Sequence, residues 1–153
     1  MIKIYFTIIA LLFIWPLAGC SGEDRPQAIL KSLASSQLLI HDFNGAEADE
    51  ANVKSFLLNM ASQPECSLEN IYPEGPAHEL ELTVQSGKNP ILIRVKIYKN
   101  VIFYEMGIVP SGPWLKPVMI CGKERVATFI QNNRWAFAAS ALIRNSEFHQ
   151  HEE

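Results

Sequence analysis

The chain has 153 residues, 48% hydrophobic, 19% charged and 10% aromatic, with 8 Gly, 9 Pro and 3 Cys. That balance excludes a disordered, collagenous or low-complexity protein, and the length suits one domain with a real core. Thirteen Lys and Arg against 16 Asp and Glu give a formal charge of −3 with no basic run, which argues against nucleic acid as a partner.

In chain order, Met1-Ile2-Lys3 is a short positive start, and an apolar run from Ile4 to Trp15 follows, broken only by Thr7. A run of that length matches a signal-peptide core and is too short for a stable membrane-spanning helix. It ends in Leu17-Ala18-Gly19-Cys20, where small residues before a cysteine leave the backbone open to a peptidase. This segment resembles the lipobox of bacterial lipoproteins. The resemblance implies removal of residues 1–19, a diacylglyceryl group on the Cys20 thiol, and acylation of the new amino terminus. Each buried methylene contributes about 0.8 kcal/mol, so two or three long chains hold a protein on a lipid bilayer without any transmembrane helix. Ser21 rather than Asp after the lipid cysteine implies sorting to the outer membrane, at its periplasmic face, in a cell with two membranes. In a Gram-positive cell the same anchor lies on the outer leaflet of the only membrane.

Residues 20–25 read as a lipidated tether, residues 26–145 as a single α+β domain, and residues 146–153 as a loose polar tail. Asp24 can cap a helix that Pro26 opens and that runs to about Gln37, with Ile29, Leu30, Leu33 and Leu38 on one stripe. Leu38 to Phe43 reads either as a short strand or as the frayed end of that helix, stopped by the turn signal Asn44-Gly45. Val53, Phe56, Leu57 and Met60 fall at i, i+3, i+4 and i+7 and predict a second helix ending before Pro64. Glu47, Asp49 and Glu50 stand at its positive end. Ser67 to His78, with Pro73, Gly75 and Pro76, reads as a loop.

From Glu79 to Met106 the period changes to two. Pairing Val84 with Ile91 brings Leu82 to Ile93 and Leu80 to Val95 on one face, and Glu81 to Arg94 and Glu79 to Lys96 on the other. A second hairpin turning at Lys99-Asn100 sets Ile97 by Ile102, Val95 by Tyr104 and Arg94 by Glu105. One register satisfies both the apolar face and the charge pairs, which predicts an antiparallel meander with Arg94 between two carboxylates. Gly107 to Pro117 holds three prolines besides Gly112 and reads as an ordered surface loop carrying Trp114. Pro117 to Cys121 suits a further short strand. After Gly122 a long helix is predicted to about Asn145, with Val126, Phe129, Ile130, Phe137 and Ala141 on one stripe. A buried strand is the alternative for its second half, since Asn132-Asn133 can interrupt a helix. The expected architecture is the meander, covered on one face by N-terminal helices and a long C-terminal helix.

Cys66 and Cys121 are the remaining thiols, and export to an oxidising compartment predicts a disulfide between them, with two free buried thiols or a metal pair as the alternatives, although no nearby His or Cys supplies the spacing of a zinc site. A crosslink of that span is worth roughly 4 kcal/mol in the loop-entropy model. No nucleophile elbow, zinc-protease motif, phosphate loop or dinucleotide fingerprint is present, so no catalytic residue, metal or cofactor is expected. His149 and His151 read as part of a solvated terminus. Glu79, Glu81 and Glu105 around Arg94 read as an exposed charge network.

Trp114 and Trp135 are the candidate binding surface: the first a rigid aromatic between prolines that can alternatively fold back over the core, the second in an apolar C-terminal segment. The function these features imply is that of a non-enzymatic envelope lipoprotein of assembly, immunity or exclusion type, binding another envelope protein. Cys20, Cys66, Cys121 and Gly122 are similar in outline to some secretion pilotins, which implies escort of secretin subunits as one form of that role. The alternative is a small periplasmic hydrolase with its cleft between helices and sheet.

Overall fold

A computed structural model describes residues 25–67 and 71–138. The expectations for Cys20, Ser21, Ala141, His149 and His151 lie outside the described residues. Helices α1 (Pro26–Ser35), α2 (Glu50–Ala61) and α3 (Lys123–Asn132) combine with strands β1 (Ile40–Phe43), β2 (Ala46–Glu47), β3 (His78–Gln85), β4 (Ile91–Ile97), β5 (Val101–Ile108) and β6 (Val118–Cys121). The strands form one antiparallel sheet in the order β2-β1-β3-β4-β5-β6, which makes the fold α+β.

Alternation of apolar and polar residues sets the register of the central strands. Leu80 faces Val95, Leu82 faces Ile93 and Val84 faces Ile91. On the next pair, Val95 faces Tyr104 and Ile97 faces Ile102. Ile102 in turn faces Ile120 of β6, so the apolar row continues to the sheet edge. The helices supply Leu30, Val53, Phe56, Leu57, Met60 and Phe129, all fully buried in the same cluster as the strand residues. Phe56 is its hub, with ring centroids 6.1 Å from Phe43, 5.2 Å from Phe129 and 6.1 Å from Trp135. Side chains of this kind each gain about 1.5–3 kcal/mol on full burial, so this layer dominates stability.

Local chemistry places the helices. The Asp49 carboxylate accepts the Asn52 N–H at 2.9 Å and caps α2. Glu50, next in the chain, pairs with Lys54 at 2.7 Å and accepts the Leu38 N–H at 3.0 Å, which ties the α1–β1 connection to α2. Those two hydrogen bonds hold its carboxyl below the ordinary carboxylate value. The N-cap of α1 is Arg25 rather than Asp24, and it makes no side-chain cap bond; Pro26 follows at the start of the helix. The helix ends at Ser35, two residues before the predicted Gln37.

Leu38 to Phe43 contributes strand β1, deciding between the two readings of that segment. Asn44 and Gly45 have φ of 50° and 79°, the paired left-handed conformations of a two-residue hairpin turn, and β2 is the short strand that this turn returns. At the other edge, the Cys66 N–H donates to the Met119 carbonyl at 3.0 Å. The Cys66 and Cys121 sulfurs lie at disulfide distance, with Cα atoms 5.9 Å apart. The chain around Cys66 therefore covers the outer edge of β6, which would otherwise offer unpaired backbone to another strand.

The C-terminal helix departs from expectation. It stops at Asn132, and Asn133, with φ −122° and ψ 35°, breaks it before a further helical turn at 134–138. Asn133 is fully buried. Its side-chain N–H donates back to the Phe129 carbonyl at 2.8 Å, and its oxygen accepts from Asn59 of α2 at 3.2 Å. A buried amide bonded in this way satisfies the chain end locally and lets the backbone turn, so a continuous helix from Gly122 is not formed.

Candidate functional site

The helices cover one face of the sheet, and the other face carries the alternate residues of the same strands. Across it run Glu81–Arg94–Glu105 and Glu79–Lys96–Phe103–Met119, each set directly opposed on neighbouring strands. Arg94 lies 3.5 Å from Glu81 and 3.9 Å from Glu105, and Lys96 lies 3.1 Å from Glu79. All five side chains are about half exposed, so the network is solvated and contributes little to stability. The Glu79 carboxylate raises the Lys96 ammonium above its ordinary value, through a hydrogen bond first and charge second.

The loop after β5 folds onto this face. Trp114 bridges to Gly107, and the Leu115 N–H donates to the Met106 carbonyl at 2.8 Å. The absence of a side chain at Gly107 is what admits the indole, since a Cβ there would meet the ring at 2.7 Å. The Arg94 guanidinium stacks on the same indole, with Cζ 4.8 Å from the ring centroid. Trp114 thus neither covers the helix-side core nor projects freely. It is 44% exposed, held flat between Gly107 and Arg94.

Beside this stack lies a shallow groove of about 400 Å³, walled by Pro73 and Pro117 and lined by Tyr98, Phe103, Arg94 and Lys96. The Tyr98 and Phe103 rings meet edge to face at 5.8 Å. Asn100, in the β4–β5 turn, positions the Pro73 wall by donating to the Tyr72 carbonyl at 2.9 Å and accepting the Glu74 N–H at 2.8 Å. Tyr72, next to that wall, is 81% exposed. The arrangement offers rigid aromatic and proline surface rimmed by paired charges.

Trp135, the other sequence candidate, lies 4.9 Å from Phe43 and packs at the rim of the core, so the structure does not bring it to the Trp114 surface. Sequence reasoning missed Tyr98, Phe103 and Pro73. Phe103 was detectable as an aromatic on the polar phase of β5, and Gly107 as a glycine inside a strand, which signals close approach of another group. The region a hydrolase would need as a cleft, between helices and sheet, is filled by apolar side chains. The fully buried side-chain polar groups there, among the described residues, are the Asn133 amide and the Tyr104 hydroxyl. That hydroxyl is buried without a hydrogen-bond partner, and burial, with Glu65 adding, pushes its pKa upward. Among the described residues no group of three or more His, Cys, Asp or Glu side chains is placed to hold a metal, and no helix is long and apolar enough to cross a membrane.

No protein-family model, no curated protein and no solved structure matches the chain.

Proposed function

We propose that this chain is an envelope lipoprotein, acylated at Cys20 and held at the periplasmic face of the outer membrane, whose open sheet face binds another envelope protein. The single observation that carries the binding role is the Trp114–Arg94 stack beside the Tyr98–Phe103 groove. An aromatic anchor already immobilised by its own domain loses little side-chain freedom on docking, so its buried area converts efficiently into affinity. The anchoring role is carried by the lipobox Leu17-Ala18-Gly19-Cys20.

The test is an affinity capture from detergent-solubilised native envelopes with the full chain, Trp114→Ala and Cys20→Ser side by side. The expected result is one stoichiometric protein captured by the full chain and lost with Trp114→Ala. Palmitate labelling of the full chain but not of Cys20→Ser is expected to accompany it. Equal capture with Trp114→Ala removes the open face from the reading, and absence of label from the full chain removes the anchor.

A further inference from the structure

A second, larger cavity of about 830 Å³ opens where α1 begins, bounded by the chain that follows α2 and by the approach to β6. Its walls carry three cations, Arg25, Lys31 and Lys116, against one carboxylate, Glu65, with Pro26, Pro64 and Pro117 supplying accessible apolar surface. Arg25, Lys31 and Lys116, like Lys88, Lys99, Arg125 and Arg134, have no carboxylate within ion-pair distance among the described residues, and of these only the first three line one hollow. Three cations against one carboxylate leave the hollow with an excess of positive charge, which beside apolar walls suits a ligand that is anionic at one end and greasy at the other. Arg25 also stands five residues after Cys20, a reach of roughly 17 Å for fully extended chain.

We propose that this cavity receives the phosphate headgroup of an anionic phospholipid from the membrane to which Cys20 tethers the chain. The inference rests on the reading of Cys20 as an acylated anchor, which brings the cavity mouth to headgroup level. Lys31 and Lys116, contributed by α1 and by the loop before β6, clasp the phosphodiester from two sides of the hollow, and the glycerol and upper acyl carbons lie against Pro64 and Pro117. Docked in this way, the domain has a set orientation on the bilayer. Pro117 lines both this cavity and the groove on the open face, so a lipid held in one fixes where the other points.

The experiment uses the full acylated protein reconstituted in vesicles of phosphatidylcholine alone or with about one third phosphatidylglycerol. Vesicle flotation is measured first, then the rate at which each lysine reacts with an amine-modifying reagent, read by mass spectrometry. Lys88 and Lys99, exposed on hairpin turns, serve as internal references. The expected result is flotation with both vesicles and at least a threefold slower modification of Lys31 and Lys116 in the phosphatidylglycerol vesicles alone, with Lys88 and Lys99 unchanged. Flotation with equal rates in the two vesicles overturns the headgroup site while leaving the anchor intact, as does an equal slowing of all four lysines. Inorganic phosphate giving the same protection on phosphatidylcholine vesicles makes the ligand a free anion and likewise overturns it. Failure to float with phosphatidylcholine refutes the anchor. Recruitment to phosphatidylglycerol vesicles, lost in Lys31→Gln/Lys116→Gln, then carries the headgroup site alone, and absence of recruitment overturns it.

Discussion

The two faces of the sheet are made by the same strands, one residue apart, and they do opposite work. On the helix side, Leu82, Ile93 and Ile102 are fully buried and lock into Phe56, Met60 and Phe129. On the open side, Glu81, Arg94 and Glu105 make pairs of 3.5–3.9 Å that remain half exposed, and the apolar surface is a stacked indole and a proline-walled groove. Burial scales with apolar area removed from water, while exposed ion pairs are offset by solvation and side-chain entropy. Stability is therefore carried by one face, which leaves the residues of the other free to vary with whatever they contact.

The sharpest way to break this asymmetry is at its hub. Phe56→Ala is expected to cost about 3–5 kcal/mol, read as a lower urea midpoint with the envelope-protein capture retained in whatever fraction stays folded. Removing both sulfurs, as Cys66→Ala/Cys121→Ala, is expected to cost about 2–4 kcal/mol by freeing a loop of 55 residues' span, and to expose the β6 edge, seen as concentration-dependent aggregation. Gly107→Ala acts on the open face. The new Cβ displaces the Trp114 ring, with an expected cost of about 1–3 kcal/mol, a red-shifted tryptophan emission and loss of capture. Tyr104→Phe reverses the sign, because it deletes a buried hydroxyl that has no hydrogen-bond partner among the described residues. An unchanged or slightly higher melting temperature, equivalent to a gain of up to about 1 kcal/mol, is expected. The smallest effect on stability is expected from Arg94→Ala, below about 1 kcal/mol in urea titration, together with a clear loss of partner binding, since it removes the floor under Trp114.

The parts of the fold legible in the sequence are those where short-range patterns coincide. The β3–β4–β5 register follows from period-two alternation that also aligns Glu81, Arg94 and Glu105, and two independent constraints leave one solution. Leu38 to Phe43 remained ambiguous because a short apolar run suits either element, and β2 exists only as the return of the Asn44-Gly45 turn. The helix break at Asn133 depends on a bond to Asn59, 74 residues away, which no local propensity contains. Of the candidate site, Trp114 and Arg94 were legible singly, but their stacking depends on how the loop after β5 folds back. The cavity near the tether joins three segments distant in sequence and left no trace in any of them.

On the proposed reading the open face binds the partner while the helix layer does not. Placing a photo-crosslinking residue in the full chain at position 114, and in a separate chain at Leu58, an exposed apolar position on α2, tests it inside native envelopes. A discrete crosslinked species from position 114 and none from position 58 is the predicted result. Crosslinking from 58 alone, or from neither position, would contradict it.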